Sequence, residues 1–407
     1  MRRVNIRVGC LVSGSTTMPP PIPSWLQKAY NQDHITNVWR ILSDREYSRI
    51  CARSLSVSRS HSEPNACRPT PPLPALSSGA HPDGKLADHY STALGCSLEN
   101  QCRNRYSDIQ PYDRTRVAAG DRYFNANWVR EHAGGRWAIA TQAPLPSTTH
   151  EFLSIIAGIH PPLIPPVDPS SKFTRVRTVV QLTPYLESGR QKAHPYFPFE
   201  PGESRVVHPS KDSSELPSLK LTLVKTELIE SANCVACTVS IAPTSGEEPI
   251  IPVVFRHLLY GAWPDNGIPE PEDRASLLRF IRLVDNTNKD LSGLEATADV
   301  EPPIMVHCSA GVGRTGSFIA LCSLLRSNGL FSMPNPNTTV RAAVHPPLPQ
   351  SPLGPLPESI SWDEVSGEVD SLREQRPGMV QRPEQVLLVY EILIGAFILM
   401  AKGNVIH

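Results

Sequence analysis

Apolar positions recur along this chain with distinct periods, and each period predicts a different kind of element. Ile35, Val38 and Leu42 fall on one helical face with Trp39 beside them, which predicts a helix within residues 21–53. Apolar and polar residues alternate over 123–129 and 137–148 before turn signals, as strands do. Residues 179–183, 219–230, 235–242 and 252–260 carry further strand patterns. Residues 271–285 return to the helical period, with Leu277, Ile281 and Val284 in register. The apolar run Pro303-Ile304-Met305-Val306 passes through a glycine-rich turn into a helix-like run over 317–325. The most apolar stretch, 386–400, is short and interrupted by Tyr390 and Glu391, so it predicts a buried closing helix rather than a membrane span. Mixed strands flanked by helices imply a twisted α+β sheet, three-layered and α/β/α-like, with the glycine-rich turn at one strand's C-terminal end.

That turn carries the chemistry. Cys308 stands six residues before Arg314 in His307-Cys308-Ser309-Ala310-Gly311-Val312-Gly313-Arg314-Thr315-Gly316, with little bulk between them. A strand that ends in such a turn and opens a helix aims backbone N–H groups and the positive end of a helix dipole at one point. A dianion fits there, and so does a thiolate, whose pKa those donors and Arg314 would lower. The planar fork of Arg314 matches two phosphoryl oxygens as lysine does not. A nucleotide-binding loop is excluded, because the lysine that should follow its glycines is missing. His307 is expected to orient the loop by hydrogen bonding. A lone cysteine would more often be an inert buried side chain; the full string argues against that here.

These residues resemble the signature loop of the classical, cysteine-based, non-receptor-type protein tyrosine phosphatases. The likeness extends over about residues 88–402, through further segments in the family's order. Tyr260-Gly261-Ala262-Trp263-Pro264-Asp265-Asn266-Gly267-Ile268-Pro269 resembles the mobile loop carrying the general acid. The resemblance makes Asp265 that acid, since a phenolate leaves poorly unless protonated, and Trp263 a hinge of the closing lid. Asn266 stands where relatives usually have an aromatic residue. Asn104-Arg105-Tyr106-Ser107-Asp108 resembles the phosphotyrosine recognition loop. It implies that Tyr106 stacks on the substrate ring and that Asp108 accepts hydrogen bonds from the substrate backbone. The loop residues Ser309, Ala310, Gly311, Val312 and Gly313, with Arg314, would bind the phosphate, and Thr315 would help the thiolate leave. Glu187 matches the position that pairs with the signature arginine, and Lys192 lies near the lid; either reads equally well as a solvated charge. Gln381 and Gln385, four apart at a helix start, can face one site, and they resemble the glutamines that place water for the second half-reaction. Neither metal nor cofactor is implied. Two other readings share parts of the pattern: a catalytically impaired phosphotyrosine-binding module, suggested by Asn266 and Arg382-Pro383, and a dual-specificity phosphatase.

Composition sets the surroundings. Lys+Arg and Asp+Glu number 39 each, so no basic field points to nucleic acid or anionic lipid. The nine cysteines lack paired spacing and suggest a reducing setting, cytoplasmic with a nuclear option. Cys234 and Cys237 have the spacing of half a zinc site, but they lie in an alternating run and read as strand cysteines. Domain boundaries follow from the 42 prolines. Residues 1–20 read as disordered, 21–53 as a helical extension, and 54–87 as a Pro/Ser-rich linker. Residues 88–407 read as the catalytic domain, with Pro-rich insertions near 160–170 and 334–358. The extension is expected to dock on that domain or on a partner, and the expected state is a monomer acting on phosphotyrosine-containing proteins.

Overall fold

The computed structural model describes residues 22–60, 84–160, 162–210, 216–244, 252–265, 267–292, 299, 301–331 and 346–401. The disordered N-terminus expected over 1–20, most of the linker, Asn266 and the first part of the second Pro-rich insertion lie outside those residues.

The chain opens with helices α1 (Ser24–Ala29) and α2 (Gln32–Ser60), followed by the short helices α3 (Gly84–His89), α4 (Ala93–Cys96) and α5 (Leu98–Gln101). Strands β1 (Ala126–Arg130) and β2 (Trp137–Thr141) form a hairpin, and α6 (Thr149–Ala157) leads on to β3 (Thr178–Gln181). A small two-stranded hairpin, β4 (Leu186–Glu187) and β5 (Arg190–Gln191), stands apart from the main sheet. Then come β6 (Ser204–Val207), β7 (Leu219–Ile229), β8 (Cys234–Pro243) and β9 (Val253–Tyr260). Helix α7 (Arg274–Lys289), strand β10 (Ile304–His307) and helices α8 (Gly313–Ser327), α9 (Glu364–Gln375) and α10 (Pro383–Ala401) complete the order. Eight strands form one sheet in the order β1-β2-β10-β3-β9-β8-β7-β6. Its centre is parallel, β2 to β10 to β3 to β9, and its outer pairs are antiparallel. This is the mixed, helix-flanked α+β sheet that the strand pattern implies.

Strand side chains alternate faces, and both faces of this sheet are covered. Val306, Val180, Ala138 and Ala140 pack with α7, α8, α9 and α10 on one side. Met305, Val179, Ile139 and Trp128 pack on the other, with Phe152, Leu153, Ile155 and Ile156 of α6. A strand buried on both faces cannot shift register without burying the wrong set, so β10 holds the turn after His307 at a fixed height.

Helix α2 is longer than its apolar pattern predicts, running to Ser60 through residues that read as linker, and α3 begins at Gly84. Leu26, Ala29, Ile35, Val38, Ile41 and Leu42 of α1 and α2 belong to the same core as α8, α9 and α10. One described helix, α10 with 19 residues, is long and apolar enough to cross a membrane by length and composition. In the fold its Val386, Leu388, Val389, Ile392, Leu393 and Ala396 are buried against that core.

Candidate active site

The parallel strands β2, β10, β3 and β9 point their C-terminal ends the same way, and open α/β sheets place ligands in the crevice beyond such ends. Residues 142–143 follow β2, 308–312 follow β10, 182–192 follow β3 and 261–265 follow β9. The signature, hairpin and expected lid segments meet there because the strand order brings them together, and the recognition segment is tied in by Gln142, whose Oε1 accepts from the Arg105 amide at 2.7 Å.

Cys308 is 4% exposed and directly follows β10, at the start of the turn that leads into α8. The amide of Gly311 donates to its Sγ at 3.2 Å. Burial would push this thiol up. The positive charge of Arg314, the hydroxyl and amide of Thr315 and the Gly311 amide outweigh it and leave the pKa below the ordinary cysteine value. Gly311 sits at φ +73°, and a Cβ there would come 2.1 Å from the Thr141 carbonyl oxygen, so the loop closes onto β2 only with glycine. His307 is fully buried; its Nε2 meets the Tyr196 hydroxyl at 3.2 Å and its Nδ1 the Cys308 carbonyl at 3.2 Å. Burial lowers the His307 pKa to about 4, so the ring is neutral and serves as a strut.

The segment after β9, expected to be the lid, packs on this loop. Trp263 is fully buried, donates from its ring N–H to the Gly267 carbonyl at 3.1 Å, and accepts from Arg314 Nη1 at 2.9 Å through its own carbonyl. Asp265 Oδ1 accepts from Arg314 Nη2 at 2.9 Å, and its other oxygen pairs with Lys192. Glu187 joins both partners: Oε2 accepts from Arg314 Nη2 at 3.1 Å and Oε1 from the Asp265 amide at 2.5 Å. Ser188 and Gly189, at φ 50° and 72°, turn β4 into β5. Positive φ at both central residues is the tight hairpin turn that matches strand twist, and it delivers Glu187 and Lys192 to the same spot. Of the two readings open for these charges in the sequence, the structure has both residues inside the cluster.

Around the rim, the Tyr106 hydroxyl lies 2.8 Å from the Ser309 hydroxyl, which donates to the Lys192 carbonyl at 2.8 Å. Asp108 is exposed. Ala310 and Gly311 offer their carbonyls inward to Arg376, and Val312 accepts from the Gly316 amide at 2.9 Å. Gln385 is buried; its Oε1 accepts from the amides of Gln381 and Arg382 at 2.9 and 3.2 Å. Both glutamines face Gly313, the first residue of α8: a Cβ there would lie 3.0 Å from Gln385 Nε2 and 3.5 Å from Gln381 Oε1. Gln381 itself precedes the helix, since α10 starts at Pro383.

Sequence reasoning missed Arg376. This fully buried guanidinium donates to the Gly311 carbonyl at 2.8 Å, the Ala310 carbonyl at 3.0 Å, Asn127 Oδ1 at 2.9 Å and Asn125 Oδ1 at 2.8 Å. It holds the back of the signature loop while Arg314 serves the front. Burial lowers its pKa to about 10, which still leaves it charged at neutral pH. Tyr196 was also missed. Neither carries a local sequence signal, because an arginine after a charged helix reads as solvated surface. Among the described residues no group of three or more His, Cys, Asp or Glu is placed to hold a metal ion.

A family model described as "Protein-tyrosine phosphatase" matches residues 100–165 and 171–342. Human receptor-type tyrosine-protein phosphatase eta is 28% identical over 302 residues, covering 73% of this chain and 17% of that protein. Human receptor-type tyrosine-protein phosphatase H is 30% identical over 318 residues, 75% of this chain and 22% of that protein. Mouse tyrosine-protein phosphatase non-receptor type 20 is 27% identical over 313 residues, 76% of this chain and 56% of that protein. The chain therefore spans less than two thirds of the length of each of these relatives. With the family model matched across more than half of its residues, and a buried cysteine and arginine gathered with a half-buried aspartate beyond the end of β10, the chain belongs to the protein-tyrosine phosphatase family.

Proposed function

We propose that this protein hydrolyses phosphotyrosine in other proteins by a two-step reaction through a cysteinyl phosphate. The observation that carries the reading is Cys308, a buried thiol whose pKa lies below the ordinary value, set in one cradle with Arg314 and the opening turn of α8. In the first step the Cys308 sulfur bonds to phosphorus. The bond from phosphorus to the tyrosine oxygen breaks with its electron pair on that oxygen, which takes a proton from Asp265. In the second step a water oxygen bonds to phosphorus and its proton passes to the Asp265 carboxylate. The S–P bond then breaks and its electron pair restores the thiolate. Arg314 and the loop amides hold the equatorial oxygens in both steps, the electrostatic stabilisation that dominates such reactions. Thr315 donates to the departing thiolate, Gln381 and Gln385 place the water, and Tyr106 and Asp108 hold the ring and backbone of the substrate. Glu187 and Lys192 fix the lid over the phosphate through the contacts described above.

A role in signal transduction and a reducing, cytoplasmic setting fit a nucleophile that must stay reduced. The test is direct. Cys308→Ser should abolish turnover of a phosphotyrosine peptide and retain binding, and hydrolysis at the wild-type rate would refute the assignment. Asp265→Ala should lower kcat by roughly a hundredfold or more with little change in KM, the scale of a general acid. Normal turnover in that variant would remove Asp265 from its role. Phosphothreonine peptides assayed beside phosphotyrosine ones separate this activity from dual specificity.

A further inference from the structure

The turn that carries the glutamines is held in a strained shape by a buried arginine that also reaches the N-terminal helix. Val380 sits at φ +55°, a conformation rare for a β-branched residue. Such strain persists where the surroundings over-determine it, and it gathers at functional sites. Val380 donates its amide to the Val312 carbonyl of the signature loop at 3.2 Å. It also packs so closely on α8 that a Cβ on Gly316 would come 2.5 Å from its nitrogen. The rest of the constraint comes from Arg373 of α9, which is 2% exposed. Its Nε donates to the Met379 carbonyl at 2.9 Å and its Nη2 to the Val380 carbonyl at 2.8 Å. Its remaining arm, Nη1, donates to the Leu42 carbonyl of α2 at 2.8 Å, and the guanidinium lies 5.5 Å from the ring centroid of Trp39 on the same helix. A buried cation is costly unless its donors are used. Here the hydrogen bonds go to backbone carbonyls, two from the turn and one from α2. Arg373 therefore joins the N-terminal extension to the segment that runs on into Gln381 and Gln385, the pair facing Gly313.

We propose that Arg373 is a positioning residue for hydrolysis of the cysteinyl phosphate, fixing the turn that aims Gln381 and Gln385 and making that aim depend on α2 being docked. The proposal rests on the two-step reading given above. In the step concerned the water oxygen bonds to phosphorus, its proton goes to Asp265, and the S–P bond breaks back to the Cys308 thiolate. Arg373 touches none of these atoms. Its loss misdirects the water and leaves the first step intact, because the glutamines take no part in attack by sulfur or in protonation of the leaving group.

The experiment is rapid-mixing kinetics with p-nitrophenyl phosphate on the full chain, comparing wild type, Arg373→Met, Arg373→Lys and Trp39→Leu. Arg373→Met should keep the rate of the p-nitrophenolate burst while its steady-state rate falls by roughly ten- to a hundredfold, the scale of a misplacement near 1 Å. Phosphate bound to the enzyme after acid quench should rise accordingly. With glycerol present, a larger share of phosphate should pass to glycerol instead of water, as the water loses its preference. Arg373→Lys, which keeps a donor without the fork, should fall between the two. Trp39→Leu leaves the arginine in place and should shift the same partition in the same direction, so the idea stays testable where Arg373→Met does not fold. Burst and steady-state rates falling together, or an unchanged partition in a folded variant whose wild type shows the phosphoenzyme, would overturn the positioning role alone. Absence of acid-trapped phosphate in the wild type would overturn the two-step reading as well.

Discussion

Cys234, Cys308 and Cys322 are all buried, yet they differ in acidity. Burial pushes the thiol of Cys234 up to about 12 and that of Cys322 well above its ordinary value, while Cys308, just as enclosed, is shifted the other way. The difference lies in what each sulfur faces. Cys308 faces Arg314, Thr315 and the Gly311 amide, and the anion is the form they favour. Alkylation by iodoacetamide should therefore reach half its limiting rate at Cys308 below the pH of an ordinary thiol, and should fall as the pH drops through that midpoint. Arg314→Met removes the foremost favourable charge and should raise the midpoint by roughly 1–3 pH units. Mass spectrometry of the labelled peptides across a pH series reads this, and a midpoint indifferent to Arg314 would mean that the loop amides alone hold the anion. This part of the site was legible in the sequence because its residues are neighbours in the chain. Arg376 and Arg373 were not: the partners of Arg376 and the Leu42 partner of Arg373 lie far away in sequence, and hydrogen bonds to backbone carbonyls, near or far, leave no mark on the partner's identity.

At the scale of elements, the β4–β5 hairpin is the piece that ties the lid to the signature loop. Glu187 accepts from the Asp265 amide and from Arg314 together, so one carboxylate holds the backbone of the segment after β9 and the guanidinium of the signature loop. Glu187→Ala should leave the hairpin folded, because Ser188 and Gly189 set its turn. It should weaken the closed lid and lower kcat by about tenfold or more, with a smaller effect on KM, as residues that gate closure do. Steady-state kinetics decide it; an unchanged kcat would show that Trp263 and Lys192 hold the lid without help. The strands were legible from alternation, and α7 from its period, because each presents an apolar set to one core. Helix α2 was legible only to residue 53. Beyond that point its composition is that of a linker, and Ser54 and Ser56 turn their hydroxyls back onto the Ile50 and Arg53 carbonyls of their own helix, which gives no apolar period to find.

For the whole molecule, the question is why an N-terminal extension with so many arginines docks at all. Its polar face meets acids on α9 under cover. Arg49, fully buried, donates to Asp370 Oδ1 at 2.6 Å and to Glu374 Oε1 at 2.6 Å, and Arg45 pairs with Asp370 at 2.9 Å. The Tyr90 hydroxyl donates to Glu374 at 2.7 Å from beyond the linker, so both sides of that linker converge on one carboxylate. Such clusters are expensive to form and more expensive to break, since removing one partner strands a buried charge at a cost of about 3–5 kcal/mol. Arg49→Met should lower stability to chemical denaturation by roughly that amount. The pH dependence has a definite sign. Burial opposes the Glu374 anion, but His89, Arg49 and Tyr90 outweigh it and hold the pKa at about 2, below the ordinary 4.5. A carboxylate depressed in this way stabilises the fold fully above its unfolded pKa and loses that contribution as pH falls from 4.5 towards 2. The gap between wild type and Arg49→Met should accordingly be widest near neutral pH and shrink through that acid window. Tryptophan fluorescence, reporting in part on Trp25 and Trp39, and far-ultraviolet dichroism should give coincident transitions if α1 and α2 unfold with the sheet. An earlier fluorescence transition, or a variant as stable as wild type at neutral pH, would mean that the extension rests on the domain without sharing its cooperativity. That outcome would also remove the leverage that Arg373 is proposed to exert on the glutamine turn, because a helix that detaches freely cannot hold a carbonyl in place.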